Sequence, residues 1–266
     1  RLLEQGHGRT VVVAGGDDVR IYHGNVRRIV VVMAMAAEAA PILSTLDARS
    51  VTSPSPLVTR WFDAERHGAE VRVAINGRDR RFGVDSIGTE AAALTTYSTI
   101  TAFAPELVIS AGTAGGWQRC GGEVGDVYVS DGQVVHHDRR IALEGFEAYG
   151  IGAYPVVSAR TMARSLGLKS GVVTTSNSLD ENDDDRAMIA ASGACVKDME
   201  AAAVGYVCEQ MSVPFMAVKA ITDLVDHHTA TAEQFTANLK VASARLADTL
   251  VSVLDWCIAR EIAELT

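Results

Sequence analysis

Glu200 and Asp223 occupy positions that ordinary core packing does not call for. Glu200 sits in the run Lys197-Asp198-Met199-Glu200-Ala201-Ala202-Ala203, at the entrance of a helix whose next residues are all alanine. Backbones can pack closely there, and the two oxygens of a carboxylate can each accept a hydroxyl hydrogen, which suits Glu200 to gripping a vicinal diol. Asp223 closes the apolar run Phe215-Met216-Ala217-Val218-Lys219-Ala220-Ile221, just after Thr222; its plain reading is an N-cap for a following turn. Glu38 follows Ala34-Met35-Ala36-Ala37. It is either a helix-start acid, favoured by the dipole by a few tenths of a kcal/mol, or an acid or base at the mouth of a sheet.

Two polar loops complete the set. Ser110-Ala111-Gly112-Thr113-Ala114-Gly115-Gly116 follows an apolar run, and its glycines let backbone approach a ligand closely. It lacks the Gly-Lys-Ser/Thr of a P-loop and the GxGxxG spacing of a dinucleotide turn. Thr174-Thr175-Ser176-Asn177-Ser178-Leu179-Asp180 is a polar loop with one apolar face, Leu179, or a capping turn before a helix at Asp183.

Positioning such groups takes strands that end where they stand. Ile29-Val30-Val31-Val32-Met33 is a β-branched run of the kind covered on both faces, followed by an alanine-rich helix over Ala36–Leu46. Further strands are predicted at Glu70–Ile75, Arg81–Asp85, Glu106–Ser110, Gly125–Ser130, Gly171–Thr175, Cys195–Lys197 and Val213–Ile221. Helices are predicted at Thr89–Phe103, Asp183–Ser192, Met199–Met211 and from Thr231 to about Glu264. This alternation specifies an α/β fold with three layers, α/β/α, around a central mixed, mostly parallel sheet, in which ligands sit at the carboxyl ends of strands. Residues 1–27 read as an N-terminal extension, with strands at Thr10–Ala14 and Val19–Tyr22 about a turn at Gly15–Asp18; residues 28–266 read as a single domain. The stretch from Asp138 to Tyr154 is irregular and too long for a mere connection.

Composition narrows the class. At 266 residues with 48% hydrophobic content the chain can bury a large core, and a net charge of −9 argues against a general nucleic-acid binder. The basic cluster Arg78–Arg81 is short. No apolar run approaches the roughly 18 residues needed to cross a bilayer, so no membrane partner is expected. Cys120, Cys195, Cys208 and Cys257 show no CxxC spacing, and are expected to be buried thiols in a reducing, cytoplasmic compartment. The chain opens at Arg1, which leaves a targeting segment ahead of it open. His136 and His137 have no third ligand at recognisable spacing, so no metal is expected, and no organic cofactor either.

The segments Ala34–Glu38, Ala111–Gly116, Val124–Asp131, Asp198–Ala203 and Ala220–Asp223 occur in the order and spacing of the 5′-methylthioadenosine/S-adenosylhomocysteine nucleosidases, of the nucleoside phosphorylase superfamily. The resemblance runs from about Ile29 to the C-terminal helix, and His136–Ile141 with Ala220–Asp226 look most like the plant-type members. It implies hydrolysis of the N-glycosidic bond of methylthioadenosine, with S-adenosylhomocysteine as a further substrate in part of the family, in methionine salvage. By the same resemblance Asp223 protonates N7 of adenine, Glu38 activates water, and Glu200 holds the ribose hydroxyls above Met199. Thr113 and Lys219 lie near the water; Ala114, Gly115, Leu179, Asp180 and Thr222 surround adenine; Ile87 and Ile141 line the 5′-alkylthio pocket. Bacterial members usually carry Arg at the position of Lys219 and an aromatic at that of Leu179, and a Gly-Asp pair where Ser176-Asn177-Ser178 stands here.

A nucleoside-bond split of this kind needs a protonated leaving base on one side of the sugar and a held water on the other. The rival readings are a phosphorylase, which would need cationic or backbone donors where Glu38 stands, and an inactive nucleoside-binding or storage protein, which would have lost a carboxylate. Members of the family are commonly homodimers, and His136–Tyr154 is the expected contact.

Overall fold

The computed structural model describes residues 11–15, 18–22, 25–258 and 260–265. Near the N-terminus, β1 (Val11–Gly15) pairs antiparallel with β2 (Asp18–Tyr22) as a separate two-stranded sheet. The hairpin expected there is present within a residue at each strand, while Thr10, Gly16 and Asp17 lie outside the described residues.

The main sheet grows from β3 (Arg28–Met33), whose run of β-branched residues has both faces covered. Ile29, Val31 and Met33 join one core with α1 (Ala36–Thr45), while Val30 and Val32 join the other. Period-two alternation thus feeds two helical layers from one strand, each fully buried valine contributing roughly 1.5–3 kcal/mol. An antiparallel edge follows, made of β4 (Arg49–Val51), β5 (Arg60–Arg66) and β6 (Ala69–Ile75), of which β6 lies parallel to β3.

Helix α2 (Thr89–Phe103) stops at Ala104, which takes a left-handed φ of 47° directly before Pro105. β7 (Leu107–Gly116) then runs through the sheet centre and β8 (Val127–His136) beyond it. Then come α3 (Glu147–Ile151), β9 (Tyr154–Pro155) against β8, α4 (Arg160–Leu166), β10 (Lys169–Thr175), α5 (Asp183–Ser192), β11 (Val196–Asp198), α6 (Ala201–Gln210), β12 (Phe215–Leu224) and the long α7 (Thr231–Cys257). The sheet has ten strands in the order β11, β10, β8, β12, β7, β3, β6, β5, β4, with β9 beside β8. β6, β3, β7 and β12 run parallel, as do β8, β10 and β11, and the two sets meet antiparallel at β12 and β8. Helices α1 and α7 cover one face and α2 and α6 the other, which is the three-layer α/β/α arrangement. At Gly205 a methyl would meet Phe215, Tyr154 and Val134 at 3.1 Å, a measure of how closely α6 lies on the sheet.

Several local expectations are corrected. Arg81–Asp85 is a turn, because Asp79 Oδ1 accepts the Arg81 and Phe82 N–H groups at 2.8 and 2.7 Å and Gly83 takes a positive φ. The glycines at 112, 115 and 116 lie inside β7 rather than in a loop after it, since side chains of β12 occupy the space beside Gly115 and Gly116. β8 continues past Ser130 to His136, and the final helix ends at Cys257 instead of near Glu264. Strands β4, β5 and β9 and helices α3 and α4 go beyond the elements that the sequence pattern predicts. Cys120 and Cys195 form a disulfide with Cα atoms 5.7 Å apart, which corrects the expectation of four free thiols; Cys208 and Cys257 are buried and free. The pair has no local signature because 75 residues separate its members.

Candidate active site

The carboxyl ends of β3, β7, β11 and β12 surround a cavity of about 210 Å3. Glu38 reaches it from the first turn of α1, where its Oε2 accepts the N–H of the N-cap residue Met35 at 3.2 Å. The other oxygen of Glu38 accepts the Thr113 N–H at 2.8 Å and also the Thr113 hydroxyl. Only 4% of Glu38 is exposed, so the helix start expected from sequence and the cavity-facing acid are the same feature.

Glu200 is the N-cap residue of α6 and accepts the Gly88 N–H at 2.9 Å. Burial, then the negative charge of Asp198, push its carboxyl up to about 7, against the pull of Lys219 and the Gly88 N–H. Asp223, 2% exposed, accepts the Thr222 hydroxyl on Oδ1 at 2.7 Å, and Thr222 Oγ1 also lies 3.2 Å from the Ala114 carbonyl oxygen. Asp223 Oδ2 is buried without a protein partner. Burial raises the Asp223 carboxyl above its ordinary range, opposed by the Thr222 hydroxyl and the Lys197 charge. A carboxyl raised by burial, with one oxygen free of protein partners, is placed to donate a proton to a ligand.

Thr113, Ala114, Gly115, Ile87, Leu179, Met199 and Thr222 line the cavity together with the three carboxylates. Lys219 does not line it: its ammonium lies behind the wall, 2.7 Å from Asp198 Oδ2 and 3.2 Å from Ser110 Oγ. Burial works against that ammonium, yet the charges of Asp198, Glu200 and Glu38 hold it above the usual lysine range. Asp180 is exposed beyond the cavity, and Ile141 packs toward Gly150 of α3, away from it. Ser176-Asn177-Ser178 is fastened to the start of α2: Asn177 accepts the Thr89 N–H at 2.8 Å and donates to Thr89 Oγ1 at 2.7 Å.

Sequence reasoning passes over Asp198, Lys197, Ser178, Thr231 and Phe235, which also line the cavity. Lys197 and Asp198 adjoin the Met199-Glu200 pair and are legible as strand-end charges. Thr231 and Phe235, an i, i+4 pair in the first turns of α7, carry no comparable signal. His136 stacks edge-on to Tyr154 at 6.1 Å and His137 Nδ1 lies 3.0 Å from Thr174 Oγ1; burial pushes His136 down to about 4. The basic cluster stays out of the cavity. Arg78 donates to the Gly83 carbonyl, Arg80 to the Pro56 carbonyl at 3.4 Å, and Arg81 stacks over Phe82 at 4.8 Å.

Comparison with known proteins places the chain in a family. The phosphorylase superfamily profile matches residues 28–255. The chain is 40% identical over 242 residues to the 5′-methylthioadenosine nucleosidase of Arabidopsis thaliana, covering 89% of this chain and 90% of that protein. It is 37% identical over 240 residues to the 5′-methylthioadenosine/S-adenosylhomocysteine nucleosidase of the same organism, covering 89% and 94%. The solved apo structure of the Arabidopsis thaliana 5′-methylthioadenosine nucleosidase superposes with a TM-score of 0.88 at 36% identity, over 91% of this chain and all of that one (100%). The chain belongs to the phosphorylase superfamily, within its 5′-methylthioadenosine nucleosidases.

Proposed function

We propose that the chain hydrolyses 5′-methylthioadenosine, releasing adenine and 5-methylthioribose, as a step of methionine salvage. The observation that carries this reading is the convergence of Glu38, Glu200 and Asp223 on one cavity, each already held by protein hydrogen bonds and with Asp223 Oδ2 left bare. Asp223 donates its proton to N7 of adenine as the bond between N9 and C1′ breaks. The oxocarbenium-like sugar is met from the opposite face by water, whose proton passes to Glu38. Glu200 accepts the 2′- and 3′-hydroxyl hydrogens, and Met199 supports the sugar. Thr113, which donates to Glu38, fixes the direction from which water attacks, and Lys219 supplies positive charge behind it. Ala114, Gly115, Leu179 and Thr222 surround the base, and Ile87 faces the alkylthio end.

The phosphorylase reading fares worse on charge. A phosphate dianion beside Glu38 would be repelled, and the cations at hand are committed: Lys219 to Asp198, Lys197 to the Leu179 carbonyl at 2.9 Å and Glu181 at 3.3 Å. An inactive binding protein would have no reason to keep all three carboxylates poised. Adenine release from methylthioadenosine, with and without phosphate, separates these readings. Release that depends on phosphate would overturn hydrolysis, and no release would favour binding alone. S-Adenosylhomocysteine as an alternative substrate in the same assay measures the room beyond the 5′ sulfur.

We take residues 28–266 as one catalytic domain, with 1–27 an extension, and the assembly as a homodimer. Exposed Leu143, Phe146 and Tyr149 in the segment between β8 and β9, with Ile141 beside them, support a partner contact there. A second apolar crevice, containing Phe82, Val84, Ile87 and Leu94, adjoins the cavity at Ile87. No helix among the described residues is long and apolar enough to cross a membrane. A cytoplasmic location stays a proposal against which the Cys120–Cys195 disulfide weighs; thiol trapping of the pair in intact cells decides, a reduced pair supporting the cytoplasm and a fully oxidised pair overturning it.

A further inference from the structure

A buried ion pair stands at the wall of the cavity. Lys219 and Asp198 form a pair with side-chain exposures of 1% and 0%, with Asp198 in the cavity wall and Lys219 behind it. Burying two ions costs several kcal/mol each, so such a pair is a weak device for stability. Its placement has a different logic. Asp198 Oδ2 accepts both the Lys219 ammonium and, at 2.9 Å, the Ala201 N–H, while Oδ1 accepts the Thr175 hydroxyl at 2.5 Å. Thr175 Oγ1 in turn accepts the Ala202 N–H at 3.0 Å. One carboxylate therefore fastens the first turn of α6, which begins at Glu200, to the lysine of β12.

The ammonium also serves Glu38 at a distance. A methyl placed on Gly112 would stand 3.5 and 3.6 Å from the Glu38 oxygens and 3.7 Å from Lys219 Nζ, so the two charges flank the same bare Cα. Among the described residues, the direct side-chain partners of Lys219 are Asp198 and Ser110, and neither Glu38 nor Glu200 is among them.

We propose that Asp198 is a positioning residue for the hydrolysis, holding the Lys219 ammonium back from Glu38 and Glu200 so that both carboxylates keep their oxygens free for water and ribose hydroxyls. The proposal rests on the roles given above to Glu38 and Glu200. If Asp198 loses its charge, Lys219 swings to one of the other two carboxylates and occupies an oxygen that the ligand needs. The groups facing Glu200 are Asp198 from β11, Lys219 from β12, Glu38 from α1 and the Gly88 N–H ahead of α2. Removing the Asp198 charge and bringing Lys219 closer both favour ionised Glu200, so the two effects have one sign.

The test is the pH profile of adenine release from methylthioadenosine by the wild type, Asp198→Asn and Asp198→Glu. Asp198→Asn is expected to lose roughly 10²-fold in kcat/KM, the scale of a misplaced catalytic group, with its acid limb moved to lower pH. Asp198→Glu keeps the charge and is expected to retain the wild-type acid limb and recover part of the loss. An acid limb that stays in place in Asp198→Asn leaves only a helix-capping role and overturns the proposal. If Asp198→Asn does not fold, Asp198→Glu decides alone: a wild-type limb with reduced kcat supports the proposal, and a displaced limb or undiminished kcat overturns it. Glu38→Gln and Asp223→Asn run alongside. Wild-type turnover in those two means that the reading of the site is wrong, whereas their inactivity beside an unshifted Asp198→Asn removes the present proposal only.

Discussion

Gly115 and Asp223 are register partners across β7 and β12, at the place where the pairing of those strands shifts by a residue after Ile221. A methyl on Gly115 would stand 2.8 Å from Asp223 Oδ2 and 2.9 Å from Val225 Cγ2, closer than side-chain carbons approach such atoms. The strand irregularity and the missing side chain together let the acid sit against the sheet with one oxygen bare. In Gly115→Ala the fold should survive while the carboxyl is pushed from its seat, and displacement on the scale of 1 Å costs about 10²-fold in rate. Steady-state adenine release checks this; an unimpaired variant would show that the seat of Asp223 is not critical.

Asp223→Asn should trade activity for stability. Loss of a general acid costs roughly 10²–10⁴-fold in rate, with nucleoside binding retained. The folded-state pKa of Asp223 lies above the unfolded value of 3.8 because of burial. Between the two the native state holds a proton that the unfolded chain has released, so stability falls as pH rises through that window, and above it the full cost of the buried charge remains. Asn cannot ionise. The variant should therefore melt above the wild type at neutral pH, and the two curves should converge below the ordinary carboxylate range. Melting temperatures over a pH series measure the gap, and a gap that widens on acidification contradicts the assignment.

Leu94 and Tyr97 lie on α2 and are 52% and 58% exposed, with Leu94 in the crevice that meets the cavity at Ile87. Apolar side chains grouped beside a ligand site are the usual mark of a covered surface. On the homodimer proposed above, Leu94→Glu should shift the sedimentation profile from dimer to monomer and raise KM for methylthioadenosine, because Ile87 would lose its cover. A monomeric wild type removes the premise.

The parts of the site that can be read from sequence are those that obey strand-end logic. Glu38 comes one helical turn after a β-branched run, and Asp223 closes an apolar run one residue before β12 ends, so both stand out from the order of residues alone. The pairing of Asp198 with Lys219 escapes because the two are on different strands, and a buried pair between non-adjacent segments leaves no periodic trace. The glycines of β7 read as a loop for a related reason. What makes Gly115 and Gly116 fit a strand is the crowding of Asp223, Val225 and Ile221 across the pairing, a tertiary fact. Ile141 and Asp180 are placed by resemblance alone, and in this single chain they stand outside the cavity that the strand ends enclose.

Cys120 follows β7 and Cys195 precedes β11, and those two strands carry Thr113, Gly115, Asp198 and the approach to Glu200. β7 and β11 pair antiparallel through Gly115 with Lys197 and Gly116 with Val196, so the disulfide closes the ladder next to the site. Closing a loop across a separation of 75 residues removes unfolded-state entropy equivalent to roughly 4 kcal/mol in the chain-entropy model. Reduction, or the double substitution Cys120→Ser/Cys195→Ser, should lower the melting temperature by several degrees, with reductant having no further effect on the double variant. Because the ladder hydrogen bonds of β7 and β11 persist without the bond, adenine release well below the melting transition should change by less than about tenfold, the equivalent of 1.4 kcal/mol. A larger loss on reduction that the serine variants reproduce would mean that the bridge positions the strand ends as well as stabilising the fold.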